Sequence, residues 1–333
     1  MSINSEYIYD LNLLEALNDE YANSEKMLPK VKRDRKSITE KALSRIDSMQ
    51  RQLKTDFKGK TVLELGCGKA MITANLPKVA GVKKAIGIDI VAYDEWKEHK
   101  SRKISLIKGD LATEQLVEEE SVDIVVSGAV MEHVTKPIEM IEAIYRTLRP
   151  GGIAWMYFNL QRGPRASHRY NEIYFPWSHL LFDDSVCAEF YGKHKKEEYK
   201  FEEVSSLLNK SKIRKYISED SNSFSWVNRM TVGEYLTVFK QAGFEILELK
   251  RRVMPIDIPF YVRFEEILGR YPALDLETDF ATFIIRKPDL RVKKGEELTS
   301  LIPKGGVLLD YYDRQQELSY KLEEYRVQSV GKK

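Results

Sequence analysis

One carboxylate, two glycines and two aspartates stand where side chains and backbone could hold a ligand together. In "VLELGCGKAMI", Val62 to Ile72, Glu64 precedes Gly66, and Gly68 follows Cys67. Glycines let the backbone approach a ligand, and a strand-to-helix turn aims N–H groups at it. A dinucleotide fingerprint needs a third glycine three positions past Gly68, and Met71 stands there instead. Glu64 beside such a turn would repel a pyrophosphate and attract a cationic amine. Asp89, about 20 residues past the glycines, is placed to bind ribose hydroxyls. Asp110, in "KGDLA", is placed to accept from an adenine amino group. An amine, a ribose and an adenine without phosphate describe S-adenosylmethionine.

These residues need elements to position them. Short β-rich runs alternate with helical ones: "TVLELG", "KAIGIDI", "ISLIKGD", "VDIVVSG" and "GGIAWMYF". "PIEMIEAIYRTLRPGG" is a helix with Pro at its start and Pro-Gly-Gly at its stop. The alternation predicts an α/β fold, a mostly parallel sheet covered on both faces, with ligands beyond the carboxyl ends of the strands. Ile38, Ala42, Ile46, Met49 and Leu53 recur at helical spacing over 38–54, and 10–22 reads as another helix. Past Phe158 the rhythm breaks, then resumes with "TVGEYLTVFKQAGF", a helix closed by Gly243, and with "EILELKRR" and "ATFIIRK". The expected organisation is an N-terminal helical extension over 1–54, a ligand-binding domain over 55–288 and a helical tail over 289–333. Within the domain, 161–229 is an insertion on the substrate side and 253–280 a smaller one.

"VLELGCGKA", "IGIDI", "GDLA", "VDIVVSGAVMEHV" and "LRPGGIAWM" occur in order and at suitable intervals. The set resembles the class I, Rossmann-like S-adenosylmethionine-dependent methyltransferases, closely over 60–160 and more loosely over 230–287. The resemblance implies a seven-stranded sheet ending in an antiparallel hairpin, with a lid-like insertion after strand five. It implies that Glu64, Gly66, Cys67 and Gly68 hold the methionine end of the cofactor, Cys67 as a small turn residue rather than a nucleophile. Asp89 and Ile90 would hold the ribose, and Asp110 and Leu111 would frame the adenine. Ser127, Gly128 and Ala129 would pass beneath the sulfonium. For Asp110, ordinary turn chemistry is the competing reading.

Methyl transfer to a hydroxyl requires alignment and removal of a proton, for which histidine suits neutral pH. Four of the five histidines, His133, His168, His179 and His194, fall between the end of strand four and the middle of the insertion. His133, in "MEHV", is the first candidate for a base or an acceptor-orienting residue; its competing role is packing the next helix. His168 and His179 flank "RYNEIYFPW" and are the lid candidates. Glu132, His133 and a lid histidine could ligate a divalent ion, but nothing has the tight spacing of a metal motif. Tyr170, Tyr174, Phe175, Trp177, Tyr191 and Trp226 could stack on sugar or aromatic rings, or form the insertion's own core. No Asn/Asp-Pro-Pro-aromatic tetrapeptide follows strand four and no cysteine sits at strand four or five, which argues against nucleobase acceptors of those two types.

The chain has 333 residues and a formal net charge of +2, so it is not a polycation seeking nucleic acid. Between Lys26 and Lys60, however, 12 Lys/Arg face 4 Asp/Glu. That run is either a solvated helix face or a contact surface for an acidic substrate. Cys67 and Cys187 build no disulfide framework, and the N-terminus lacks the basic run of a signal peptide, so a cytoplasmic, reducing setting without a membrane span is expected. Tyr311, Leu318, Leu322 and Tyr325 mark a heptad-like seam, for association with a second copy or for docking on the chain's own domain. The leading expectation is O-methylation of a sugar, glycan precursor or other small hydroxylated molecule. The alternatives are an RNA or protein methyltransferase that docks its substrate on 26–60, and a non-catalytic relative of the fold.

Overall fold

The computed structural model describes residues 6–26, 28, 37–166, 172–194, 228–289 and 307–330. Five parallel strands come first: β1 Thr61–Leu65, β2 Lys84–Asp89, β3 Ile104–Lys108, β4 Val122–Gly128 and β5 Leu148–Asn159. β6 Glu245–Val253 and β7 Thr278–Arg286 complete a seven-stranded sheet of order 3-2-1-4-5-7-6. β7 runs antiparallel to both of its neighbours. The expected closing hairpin is thus present as an antiparallel pair, with residues 254–277 between its strands. Strand order reverses at β1, so the crevice beyond the ends of β1 and β4 is the switch point where ligands bind in such sheets.

The helices are α1 Leu11–Ala22, α2 Ile38–Leu53, α3 Met71–Val79, α4 Pro137–Thr147, α5 Ser178–Leu181, α6 Asp184–His194, α7 Val232–Gln241, α8 Ile258–Arg263, α9 Glu265–Leu268, α10 Ala273–Glu277 and α11 Val307–Val330. Local chemistry sets several of their starts. Ser37 and Glu40 close a capping box on α2, and Thr231 and Glu234 close one on α7. Pro137 opens α4, where a missing N–H costs nothing. Among the described residues no helix is long and apolar enough to cross a membrane.

Alternate strand residues feed two layers. Leu63, Val125, Met156 and Phe283 pack with α4 and α7, through Ile141, Ile144, Tyr235 and Phe239. Val62, Ile124, Trp155 and Ile284 pack with α2, through Ile46, Met49 and Leu53. Every residue of β1 is buried, as expected of a strand covered on both faces. The period of two puts Glu64 on the same face as Val62, so β1 presents this carboxylate on the α2 side.

A third core gathers distant segments. Leu14, Leu17 and Tyr21 of α1 meet Ile173, Phe175 and Trp177 of the insertion, with Phe260 of α8 and Leu276 of α10. Leu318 and Leu322 of α11 close it, while Tyr311 donates to Asp275 Oδ1 at 2.8 Å and accepts from the Gly233 N–H at 3.0 Å. The heptad-like seam is thereby docked on the chain's own domain. The two helices of the N-terminal extension part company: α1 joins this aromatic core and α2 joins the sheet.

Candidate active site

The turn after β1 is shaped by two glycines in the left-handed region, Gly66 at φ +70 and Gly68 at φ +50. A Cβ on Gly66 would overlap the Val130 side chain, whereas one on Gly68 would meet nothing within 4 Å. Gly66 is therefore demanded by packing as well as conformation, and Gly68 leaves an open cradle. Glu64, 8% exposed, accepts at Oε2 from the Thr73 N–H (2.8 Å) and hydroxyl (2.5 Å) of α3. Burial pushes its carboxyl up to about 7, against the lowering pull of the Thr73 bonds and Arg45. No described group donates to Oε1. A buried carboxylate with one oxygen unengaged fits the cationic amine expected at this end of the cofactor. Cys67 is buried and its thiol is pushed up by burial, which suits a filler of the turn.

Asp89 ends β2 and ties the turn together. Its Oδ2 accepts from the Gly68 N–H at 2.9 Å and its Oδ1 from Val91 at 3.0 Å. Each oxygen keeps a second lone pair for a hydroxyl donor. Trp96, in a 3-10 turn over Asp94–Glu98, donates to the Gly68 carbonyl at 2.7 Å, and Lys69 pairs with Glu95 at 2.8 Å. This flap over the glycine turn was not anticipated; no motif marks it. Asp110 accepts from the Ala112 N–H at 2.9 Å, the turn role that competed with adenine binding, and Leu111 is buried in the core of the α4 layer. Ile90 follows Asp89 and is half-buried. Ser127 donates to the Leu65 carbonyl at 3.3 Å, and Ala129 turns the chain at φ +58.

The structure brings Glu64, Gly66, Cys67, Ser127 and Gly128 to one cavity of about 720 Å³, at the carboxyl ends of β1 and β4. Its opposite wall is α2: Lys41, Ser44, Arg45, Ser48 and Gln52 step along one stripe of the helix. Trp155, Tyr157 and Thr282 line it from β5 and β7. Trp155 donates to Gln52 Oε1 at 3.2 Å, fixing helix to sheet. The stripe lies within the basic run 26–60, which the sequence left open between a solvated helix face and a contact surface; its individual residues were not singled out. Asp89, Ile90, Asp110, Leu111 and Ala129 lie outside the lining of this cavity.

The described candidate histidines, His133 and His179, do not come together here. His133 sits on the 3-10 turn Met131–His133 and does not line the cavity. Glu132 beside it is buried, with Oε2 unbonded among the described residues and a carboxyl pushed up to about 8 by burial. The expected lid role of His179 is corrected: its Nε2 lies 2.5 Å from the Gln161 carbonyl oxygen, its Nδ1 is buried without a partner among the described residues, and burial lowers its pKa to about 4. It is neutral and faces protein. His168, Tyr170, Trp226 and the side chains of Tyr191 and His194 lie outside the described residues. Phe175 and Trp177, expected as possible stacking platforms, are core residues, each 1% exposed. None of the described insertion lines the cavity, so the lid expected there is not formed by those residues.

Residues 63–156 match the family described as a methyltransferase domain. The mitochondrial ubiquinone biosynthesis O-methyltransferase of Candida albicans is 28% identical over 171 residues, covering 49% of this chain and 46% of that protein. The ubiquinone biosynthesis O-methyltransferase of Paraburkholderia xenovorans (strain LB400) is 28% identical over 104 residues, 30% of this chain and 44% of its own length. The chain thus spans under half the length of these curated relatives. A solved S-adenosylmethionine-dependent methyltransferase from Mesorhizobium loti is 16% identical with a TM-score of 0.45, covering 72% of this chain and 96% of that one, a likeness too distant to argue from. The family match runs from β1 to β5 and contains the glycine turn, so this part of the chain, residues 63–156, is a methyltransferase domain.

Proposed function

We propose that the protein transfers a methyl group from S-adenosylmethionine to an oxygen of a small, hydroxylated, ringed acceptor. One observation carries the reading: the buried, half-engaged Glu64 opens into a cavity floored by Gly128 and walled by α2. The two relatives, both ubiquinone biosynthesis O-methyltransferases, support oxygen as the acceptor atom. When bound, S-adenosylmethionine supplies a methyl group on a sulfonium centre, which the acceptor oxygen displaces in line. The chain's part is to hold the two reactants collinear and to keep water out. Tyr157 and the polar stripe of α2 are the side chains placed to orient an acceptor. No described histidine lines the cavity, so the proton-accepting role expected of His133, His168 and His179 has no support from the described residues.

Isothermal titration with S-adenosylhomocysteine and with NAD tests the cofactor. Binding of the first and not the second is expected. Equal or tighter binding of NAD would overturn the reading of Glu64 and Met71.

A further inference from the structure

We propose that the acceptor is an anion, and that Arg45 and Lys41 of α2 hold its carboxylate or phosphate. The inference rests on the methyltransferase reading above and names the acceptor class for that same cavity. Arg45 stands over the strand end nearest the reaction: its Nη1 is 3.7 Å from where a Cβ on Gly128 would sit. Among the described residues, neither Arg45 nor Lys41 is held in an ion pair. The nearby acidic residue of α2, Asp47, is taken by Arg51 at 3.0 Å. A guanidinium with its fork unengaged is suited to a planar carboxylate or a phosphate.

Charge balance points the same way. Among the described residues, Lys41, Arg45 and Lys69 line the cavity, and Glu64 is its only carboxylate. Lys69 is neutralised by Glu95. S-adenosylmethionine brings a sulfonium, an ammonium and one carboxylate. Glu64, whose charged form Arg45 also favours, would answer the ammonium, and the cofactor's carboxylate would answer one cation of α2. The other cation then faces the sulfonium across the acceptor position. Two like charges there repel unless the acceptor brings a negative one. Beside this pair lies a ring surface: Tyr157 stacks on Phe280 at 4.7 Å and 5°, next to Trp155 at 6.0 Å. Arg252, over the Phe280 ring, is already paired with Asp279, which it shares with Arg165. A wall of rings beside these cations suits an acceptor that joins an apolar part to an anionic group.

The test uses the full chain saturated with S-adenosylhomocysteine and two matched pairs of probes: 3,4-dihydroxybenzoate against catechol, and glucuronate against glucose. In at least one pair the anion should bind about tenfold tighter or more, and Arg45→Gln combined with Lys41→Gln should bring that ratio within about twofold. The variant's affinity for S-adenosylhomocysteine is measured beside it, because one of the two cations can also meet the cofactor's carboxylate, and a thermal unfolding midpoint near that of wild type reports that the variant is folded. Equal binding within both pairs, or no binding of either anion at about 10 mM, would overturn the proposal. So would a variant that loses about tenfold in S-adenosylhomocysteine affinity yet keeps the anion preference, because the cations would then serve the cofactor's own carboxylate. A wild type that fails to bind S-adenosylhomocysteine would instead remove the methyltransferase reading, and this proposal with it.

Discussion

The turn between β1 and α3 and the aromatic core around Trp177 are assembled in opposite ways. The turn draws on residues close in sequence: Glu64, Gly66, Gly68, Thr73 and Asp89. It leaves capacity unused, in the open space at Gly68 and the free Oε1 of Glu64. The aromatic core joins segments scattered from Leu14 to Leu322 and leaves little unused. Trp177 donates to the Leu276 carbonyl at 3.0 Å, Asn18 bonds both Glu172 and Tyr174, and Tyr21 packs edge-on against Phe175 and Phe260. A region meant for a ligand tolerates unmet donors and acceptors, since the ligand will meet them; a region that holds the fold does not.

This contrast has a direct test at each end. Trp177→Ala should cost about 3–5 kcal/mol of stability in urea unfolding while S-adenosylhomocysteine affinity stays near wild type. Loss of cofactor affinity in the folded variant would show that the two regions are coupled. In the turn, Asp89→Ala should weaken S-adenosylhomocysteine binding by about 1–3 kcal/mol in titration calorimetry, the scale of lost hydrogen bonds to a charged group. An unchanged affinity would take Asp89 out of the site.

Glu64 sharpens the comparison through pH. Its carboxyl is raised to about 7 by burial, so the folded protein keeps the proton that the unfolded chain has already lost. Its contribution to stability is therefore complete below the unfolded pKa of about 4.3 and falls as pH rises toward 7. A cationic amine binds the ionised form, so S-adenosylhomocysteine affinity should rise about tenfold per unit as pH approaches 7 from below, then level off. Titrations in two buffers of different ionisation heat should show a proton released near pH 6, and Glu64→Gln should abolish the release. Constant affinity from pH 5.5 to 7.5 would mean that Glu64 does not face the amine. The smallest effect belongs to α2. Ser37→Ala breaks its capping box and should cost about 1 kcal/mol in thermal unfolding. An unchanged stability would mean that the α2 wall is held by its apolar face alone.

Much of the turn was readable because its signals are short-range. A glycine spacing, an acid before it and an acid one strand later reflect local geometry that β1, β2 and α3 impose on any chain of this pattern. The apolar period of α2 told which face it buries, and Pro137 and Gly243 told where one helix begins and another ends. The stripe that α2 turns toward the cavity was not read, because a polar face next to an apolar one looks the same whether it meets water or a ligand. His179 was hard to place for a related reason: closeness in sequence to His133 says nothing of direction, and its side chain points into protein.

The sequence by itself determined the alternation of strands and helices, the glycine turn and the carboxylates around it, since each depends on residues a few positions apart. Only the tertiary structure decided that Phe175 and Trp177 are core, that the seam of α11 docks at home, and that Arg45 stands over Gly128. Those outcomes depend on which distant faces meet. Apolar burial is non-directional, so the sequence states how much surface must be covered and leaves the choice of partner to the fold.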